Sequence, residues 1–308
     1  MALQSGKRKR EPVHGVLLLD KAADISSNGA LTQVKRLFNA EKAGHTGTLD
    51  PFATGLLPLC LGEATKFSQD LLDADKSYEA TVHLGITTTT GDTEGEATSN
   101  LPVNTSLVKI EQVLQKFRGE ISQVPPMYSA LKRDGKALYE YAREGITLER
   151  APRNITIHLL ELIDYQAPLL RIRVTCSKGT YIRVLGEELG RELGCGAHLS
   201  ALRRTAVGML KLEQAVTLEV LSQMPVELQK KTLLPVDMLV STFPSLHLSS
   251  ELTYRFMQGQ RLALGESAPT SAAGQRVRVY CDVDQRFLGV ANLNDYGVLA
   301  PERLIAPQ

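Results

Sequence analysis

Asp50 lies in the run Gly44-His45-Thr46-Gly47-Thr48-Leu49-Asp50-Pro51, which continues through Ala53-Thr54-Gly55-Leu56-Leu57-Pro58. One carboxylate among so many Gly, Thr and Pro residues marks a loop shaped by its backbone. Gly admits positive φ or the close approach of a ligand, and Pro fixes φ. A solvated surface turn needs none of this. Carboxylates act as nucleophiles and bases, and glycosidases use them to form covalent intermediates at a sugar. The plainer alternative is an Asx-type turn that Asp50 closes ahead of Pro51.

Arg183, in Lys178-Gly179-Thr180-Tyr181-Ile182-Arg183, opens a helix, where the macrodipole disfavours a cation. A specific anionic partner would account for that position. Beside a carboxylate, Arg183 would hold it ionised and oriented by paired hydrogen bonds. Read alone, the segment also fits a solvated first-turn arginine. Tyr78 offers a flat face for stacking on an extruded base and a phenol near its sugar, although its place on an apolar strand face equally suits a core tyrosine. Tyr181 carries the same ambiguity. His45 is a lone loop histidine, better suited to a structural or contact role than to acid catalysis. The acidic stretch Gly91-Asp92-Thr93-Glu94-Gly95-Glu96 lacks the ligand spacing of a calcium loop and reads as solvated.

These side chains need a scaffold. Gly15 to Asp20 reads as a buried strand, followed by a helix capped by Ser27 or Asn28 with Leu31, Val34, Leu37 and Phe38 inward. A second helix is expected over Glu63 to Leu72. Ser77 to Ile86 alternates, with Tyr78, Ala80, Val82, Leu84 and Ile86 on the buried face. A polar loop (Thr87 to Asn100) leads to a helix from Leu107 to Phe117 that Gly119 ends. An irregular crossover from Val124 to Lys132 precedes a short helix through Tyr139 and Tyr141. Strands follow near Asn154 to Leu162 and Leu169 to Cys176, then a helix ending at Gly194 and a strand from His198 to Arg204. After Pro244, short alternating segments (Val277 to Cys281, Leu288 to Leu293) read as a small all-β module.

The chain has 308 residues, four cysteines and a formal net charge of +1. That charge argues against indiscriminate coating of nucleic acid but permits a local basic patch. Arg171, Arg173, Lys178, Arg183, Arg191, Arg203, Arg204 and Lys211 outnumber Glu187, Glu188 and Glu192, which suits phosphate contacts. Lys132, Arg133 and Lys136 interleave with Tyr128, Tyr139 and Tyr141, which suits an RNA loop. The cysteines are too dispersed for a zinc knuckle or redox pair and read as buried small hydrophobes. No apolar run reaches the roughly 18 residues of a membrane helix, and no signal-peptide core follows Lys7-Arg8-Lys9-Arg10. A cytoplasmic protein with a mobile basic arm at 1–12 is expected.

Several segments together resemble the TruB family of bacterial tRNA pseudouridine synthases. They are Gly15 to Lys21, Gly44 to Pro58, Gly62-Glu63-Ala64-Thr65-Lys66, Lys76-Ser77-Tyr78, Thr90-Gly91-Asp92 with Gly95, Pro126 to Lys132, Cys176 to Arg183, and Leu202-Arg203-Arg204. They come in the family's order and span nearly the whole chain. The resemblance implies an α/β (α+β) fold: a mixed-sheet catalytic domain at 13–244 and a PUA-like RNA-binding β-barrel at 245–308. A mobile RNA-contacting insertion would occupy about 126–152. It implies isomerisation of uridine to pseudouridine at position 55 in the tRNA T-loop, by a monomer, with the T-stem loop as partner. The reaction is redox-neutral and calls for no cofactor or metal.

On that resemblance Asp50 is the catalytic aspartate, Tyr78 the base-stacking residue and possible proton acceptor, and Arg183 the partner of Asp50. His45, Tyr181 and Leu202 fall at substrate-contact positions. A covalent sugar ester and a glycal route both remain open. One departure stands out: the family's usual Pro-x-Gly after Lys21 is replaced by Ala22 and Asp24, which puts the turn geometry there in question. Two rivals are a tRNA-binding, folding-assistance protein, which needs the basic surface but not Asp50, and a glycosidic hydrolase, which needs a second carboxylate.

Overall fold

The computed structural model describes residues 9–265 and 272–306. Strand β1 (Gly15–Lys21) is buried along nearly its whole length, as an unbroken apolar run in a central strand must be. Helix α1 (Ser27–Leu37) is capped by Ser26, whose hydroxyl accepts the Gly29 N–H at 3.0 Å. The cap sits one residue ahead of the expected Ser27 because the Ser27 hydroxyl is buried and engaged with Leu49. Strands β2 (Ala43–His45) and β3 (Thr54–Leu61) flank the Asp50 loop. The loop is therefore shorter than the Gly44 to Pro58 run, since Gly55 to Leu61 pairs antiparallel with β1.

The single helix expected over Glu63 to Leu72 is a 3₁₀ turn (Gly62–Lys66) followed by α2 (Ser68–Leu72), broken where the Ser68 hydroxyl donates to the Thr65 carbonyl. Strand β4 (Lys76–Leu84) keeps the expected alternation, with Tyr78, Ala80, Val82 and Leu84 buried. It stops at Gly85, where φ is +90° and a side chain would meet the Leu101 carbonyl oxygen at 2.7 Å. The polar segment beyond holds a hairpin of β5 (Ile86–Thr88) and β6 (Ala97–Asn100). Helix α3 (Leu107–Lys116) leads to β7 (Gly119–Gln123), a strand without a sequence signal of its own.

Strands β8 (Lys132–Arg133) and β9 (Lys136–Ala137) and helix α4 (Leu138–Arg143) occupy the crossover. Then come β10 (Arg153–Gln166), β11 (Leu169–Cys176), α5 (Ile182–Leu193) and β12 (Ala197–Val207). Gly194 ends α5 in the left-handed conformation expected of a C-terminal cap. Two short strands, β13 (Leu210–Lys211) and β14 (Val216–Thr217), precede α6 (Leu218–Gln223) and α7 (Val226–Lys231). Among the described residues these strands form a mixed ten-stranded sheet of order β14-β1-β3-β12-β4-β11-β10-β7, with β2 added to β3 and β13 to β12. The core gathers Leu17, Val34, Leu57, Val82, Ile172 and Leu185 from its strands and covering helices.

The C-terminal segment holds β15 (Ser245–Leu248), α8 (Ser250–Met257), β16 (Leu262–Ala263), β17 (Gln275–Cys281), β18 (Phe287–Leu293) and β19 (Val298–Leu304). Its strands run β15-β17-β18-β19-β16, a half-barrel around Leu246, Phe256, Val277 and Leu293. Helix α8 corrects the all-β reading: Ser249 caps it, and Phe256 is fully buried beneath the sheet. The expected α/β class, a large mixed sheet plus a small β-rich unit, is what the chain adopts. Of the basic arm, residues 9–12 are tied to the end of α1 by the Asn39 amide on the Lys9 carbonyl (2.8 Å) and the Glu11 N–H on the Asn39 carbonyl (2.8 Å). Residues 1–8 lie outside the described residues. All four cysteines are buried and unpaired, and burial pushes Cys60 up to about 12.

Candidate active site

The Asp50 loop is pinned on both sides of the carboxylate. Ser27 clasps Leu49, donating its hydroxyl to the Leu49 carbonyl (2.9 Å) and accepting the Leu49 N–H (2.8 Å). The Pro51 carbonyl accepts from the Lys21 ammonium (3.1 Å) and the Asp24 N–H (3.0 Å). Lys21 is fully buried and also donates to the Ala22 and Ile25 carbonyls at 2.8 and 2.7 Å. Burial lowers its pKa to about 8 against the opposing pull of Asp50. Asp24 takes the position of the usual glycine with φ +61°, so the turn persists through a residue that tolerates the left-handed region.

Asp50 meets Arg183 in a two-pronged contact: Nε to Oδ2 at 2.9 Å and Nη2 to Oδ1 at 3.3 Å. The Arg183 side chain is 5% exposed, whereas that of Asp50 is 33% exposed, so the carboxylate is presented to solvent on a buried cation. Arg183 is fixed by further bonds to the Thr90 carbonyl (2.9 Å) and the Tyr128 carbonyl (2.7 Å). Helix α5 delivers it because Gln123 at the end of β7 clamps Tyr181, accepting its N–H at 2.8 Å and donating to its carbonyl at 3.2 Å.

A second carboxylate completes the cluster. Asp92 lies 3.5 Å from Arg183 Nε and is 2% exposed. The acidic stretch read as a solvated loop is thus buried at Asp92, whose Oδ1 accepts the Thr90 hydroxyl and the Glu94 N–H (3.0 Å). The glycines were the available signal. A side chain at Gly91, φ +74°, would meet the Glu187 carboxyl at 2.9 Å, and one at Gly95 would meet Thr90 at 2.4 Å. Such close packing is foreign to a solvated loop. Burial raises the pKa of Asp50, Arg183 opposes it, and Asp92 adds to the rise.

Tyr78, 8% exposed, stands opposite Arg204 across the β4–β12 ladder. Burial raises its pKa; Arg204 lowers it and Asp50 raises it further. Asp50 acts the same way on Tyr181, where burial is again the main cause. Leu202 is two residues before Arg204 on β12, and its carbonyl accepts the Thr54 hydroxyl at 3.5 Å. His45 ends β2 with its ring partly buried, and burial together with Arg204 lowers its pKa, keeping it neutral. All six sequence-derived residues therefore gather around the Asp50 loop.

Lys21, Asp92, Gln123 and Arg204 escaped the sequence reading as site residues. Arg204 is 1% exposed and Arg183 is buried, so neither contributes to a phosphate-binding surface. Arg173, Lys178 and Arg203 pair with Glu79, Asp73 and Asp20. In the crossover, Lys136 pairs with Glu144 and lies over the Tyr141 ring. Among the described residues, no group of three or more His, Cys, Asp or Glu is placed to hold a metal ion.

Comparison with known proteins agrees with this arrangement along the chain. Residues 35–182 match the TruB family pseudouridylate synthase N-terminal domain, residues 183–241 the tRNA pseudouridylate synthase B C-terminal domain, and residues 244–305 the pseudouridine synthase II TruB C-terminal model. The chain is 58% identical to tRNA pseudouridine synthase B of Burkholderia mallei (strain NCTC 10247) over 298 residues, covering 96% of this chain and 98% of that protein. With the protein of the same name from Cupriavidus metallidurans, identity is 58% over 301 residues, 96% and 95% of the two chains. A chain in the crystal structure of a Cbf5-Nop10-Gar1 complex superposes with a TM-score of 0.73 at 27% identity, covering 96% of this chain and 85% of that one. A likeness this close, running through the Asp50 loop, β4, α5 and the C-terminal half-barrel, leaves one assignment: the chain belongs to the TruB family of pseudouridylate synthases.

Proposed function

We propose that this pseudouridine synthase converts the uridine at position 55 in the T-loop of tRNA to pseudouridine in the cytoplasm, acting as a monomer without cofactor. Pseudouridine formation breaks the bond between uracil N1 and the ribose, turns the base and rejoins it through C5. The carrying observation is Asp50 on the Arg183 fork, 2.9 and 3.3 Å away, with one third of its side chain open to solvent. A carboxylate so placed can attack C1′ or assist loss of the C2′ proton once the nucleoside is everted. Extrusion costs a few kcal/mol, offset by stacking on Tyr78 and contacts from His45, Tyr181 and Leu202. Tyr78 also supplies an oxygen that can take the C5 proton.

In this reading residues 13–244 carry the chemistry, residues 245–308 bind RNA as a PUA-like unit, and the arm at 1–12 adds basic charge. The insertion at about 126–152 closes on the T-stem loop. Its coupling to the site is direct, because the Tyr128 carbonyl accepts from Arg183. The tRNA substrate is the one named for the 58%-identical relatives. The test is incubation with an unmodified tRNA transcript and mapping of pseudouridine to its nucleotide. Modification confined to the T-loop uridine is expected. Modification elsewhere, or release of free uracil, contradicts the proposal.

A further inference from the structure

Among the described residues Arg204 is the largest fully buried side chain, 1% exposed. The carboxylates of this region belong to other arginines: Asp50 and Asp92 face Arg183, and Asp20 pairs with Arg203. The guanidinium is held instead by carbonyl oxygens. Nε donates to Leu56 at 2.8 Å and Nη2 to Gly47 at 3.2 Å, so the fork grips the two ends of the Asp50 loop. Burying a cation on carbonyl groups is costly, and such an arrangement persists when the geometry it fixes matters.

A glycine of β3 makes room for its backbone. Arg204 pairs with Gly55 across the parallel β3–β12 contact. A side chain at Gly55, φ +99°, would lie 2.3 Å from the Arg204 carbonyl oxygen. At Gly47, φ +112°, a side chain would stand at ordinary contact distance, 3.7 Å, from Nη1. On the other side, Arg204 and Tyr78 are direct partners in the antiparallel β12–β4 ladder, which places their side chains on one face of the sheet. There the Arg204 charge opposes the burial that raises the pKa of the Tyr78 phenol. The Asp50 carboxylate is held by Arg183, and its neighbours Leu49 and Pro51 by Ser27 and Lys21.

We infer that Arg204 is a positioning residue for the isomerisation: anchored on the Gly47 and Leu56 carbonyls, it holds the Tyr78 phenol in place beside the Asp50 loop. The inference rests on the role proposed above for Tyr78. From the same face of the sheet Arg204 gives the phenol a permanent positive charge, which favours the ionised oxygen that a proton acceptor requires. The same charge adds to burial in lowering Lys76 to about 8.

The test is a double-mutant cycle. Arg204→Met keeps most of the volume and removes a buried charge, a replacement that folded proteins often accept. Arg204→Lys keeps the charge but not the fork. Each is made alone and with Tyr78→Phe. Single-turnover pseudouridine formation and tRNA affinity are then measured on an unmodified transcript, with folding followed by circular dichroism. R204M is expected to slow the step by about 10²-fold with affinity within about threefold, and R204K to recover part of that loss. In the Y78F background, R204M should cost less than about threefold more, because its target is already gone.

An undiminished penalty in the Y78F background overturns the inference, as does a wild-type rate for R204M. Failure of both Arg204 variants to fold overturns it in favour of a purely structural arginine. A wild-type rate for Y78F alone overturns the proposed role of Tyr78 instead, so the two failures are distinguishable.

Discussion

Asp50 is pulled in two directions, and burial wins over its guanidinium partner, so its carboxyl titrates above the ordinary value of 3.8. The proposed mechanism uses the ionised form. Activity is therefore lost as pH falls through a value above 3.8, earlier than for a free aspartate. Asp92 contributes to the rise, and Asn at position 92 would keep an oxygen for the Thr90 hydroxyl and the Glu94 N–H while removing the charge. Asp92→Asn is expected to move the acid limb of the single-turnover pH profile to lower pH; an unmoved or raised limb contradicts this electrostatic account. Asp50 and Arg183 were legible in the sequence because loop composition and an odd helix-start cation each called for a partner. Asp92 was not, since Gly91 to Glu96 is acidic and polar, and composition carries no information on burial. Arg204 failed for the same reason: a charged letter in a basic stretch reads as surface.

At the scale of elements, the turn between β1 and α1 shows how a departure from the family pattern is absorbed. Asp24 adopts φ +61° and keeps its N–H on the Pro51 carbonyl, so the backbone that supports Asp50 is retained without glycine. Asp24→Val, β-branched and intolerant of that region, is expected to cost about 1–2 kcal/mol. Asp24→Gly should stay within about 0.5 kcal/mol of the parent, because relief of the backbone and added freedom of the unfolded chain oppose each other. Urea unfolding of the two variants measures both, and a harmless valine would show that the turn does not depend on φ.

The long alternating strands β4 and β11 and the helices α3 and α5 were readable because several periods of a pattern accumulate in each. Hairpins of two to four residues per strand, such as β8–β9 and β5–β6, complete no period. Strand β7 is recognisable only through its pairing with β10, a contact distant in sequence.

Over the whole molecule, the half-barrel is joined to the large sheet by apolar and charged contacts. Phe67, fully buried, packs against Phe287 with ring centroids 5.5 Å apart, in a cluster that also holds Val16, Leu18 and Val290. Around it, Lys66 donates to the Leu304 carbonyl at 2.8 Å, Glu63 accepts the Ala306 N–H at 2.7 Å, and Arg276 bridges Asp70 and Glu302. The Tyr280 phenol donates to Asp237 at 2.7 Å. One cooperative unfolding transition is therefore expected. Phe287→Ala should remove about 2–3 kcal/mol and separate melting of the half-barrel from that of the large sheet in calorimetry. A variant that still unfolds in one transition at the parent temperature would mean that Phe287 does not carry the coupling across the joint. A change of character near Pro244 was visible in the sequence, but this joint was not, because its partners are far apart along the chain.

In the proposed mechanism the chemistry turns on the Asp50 carboxylate, and Asp50→Asn tests it most directly. The amide keeps the size and a hydrogen-bonding oxygen but provides neither a nucleophile nor a base. Binding of an unmodified tRNA transcript should stay within about threefold of the parent while single-turnover pseudouridine formation disappears. Normal pseudouridine formation by the D50N variant would contradict the assignment of Asp50 as the reacting group.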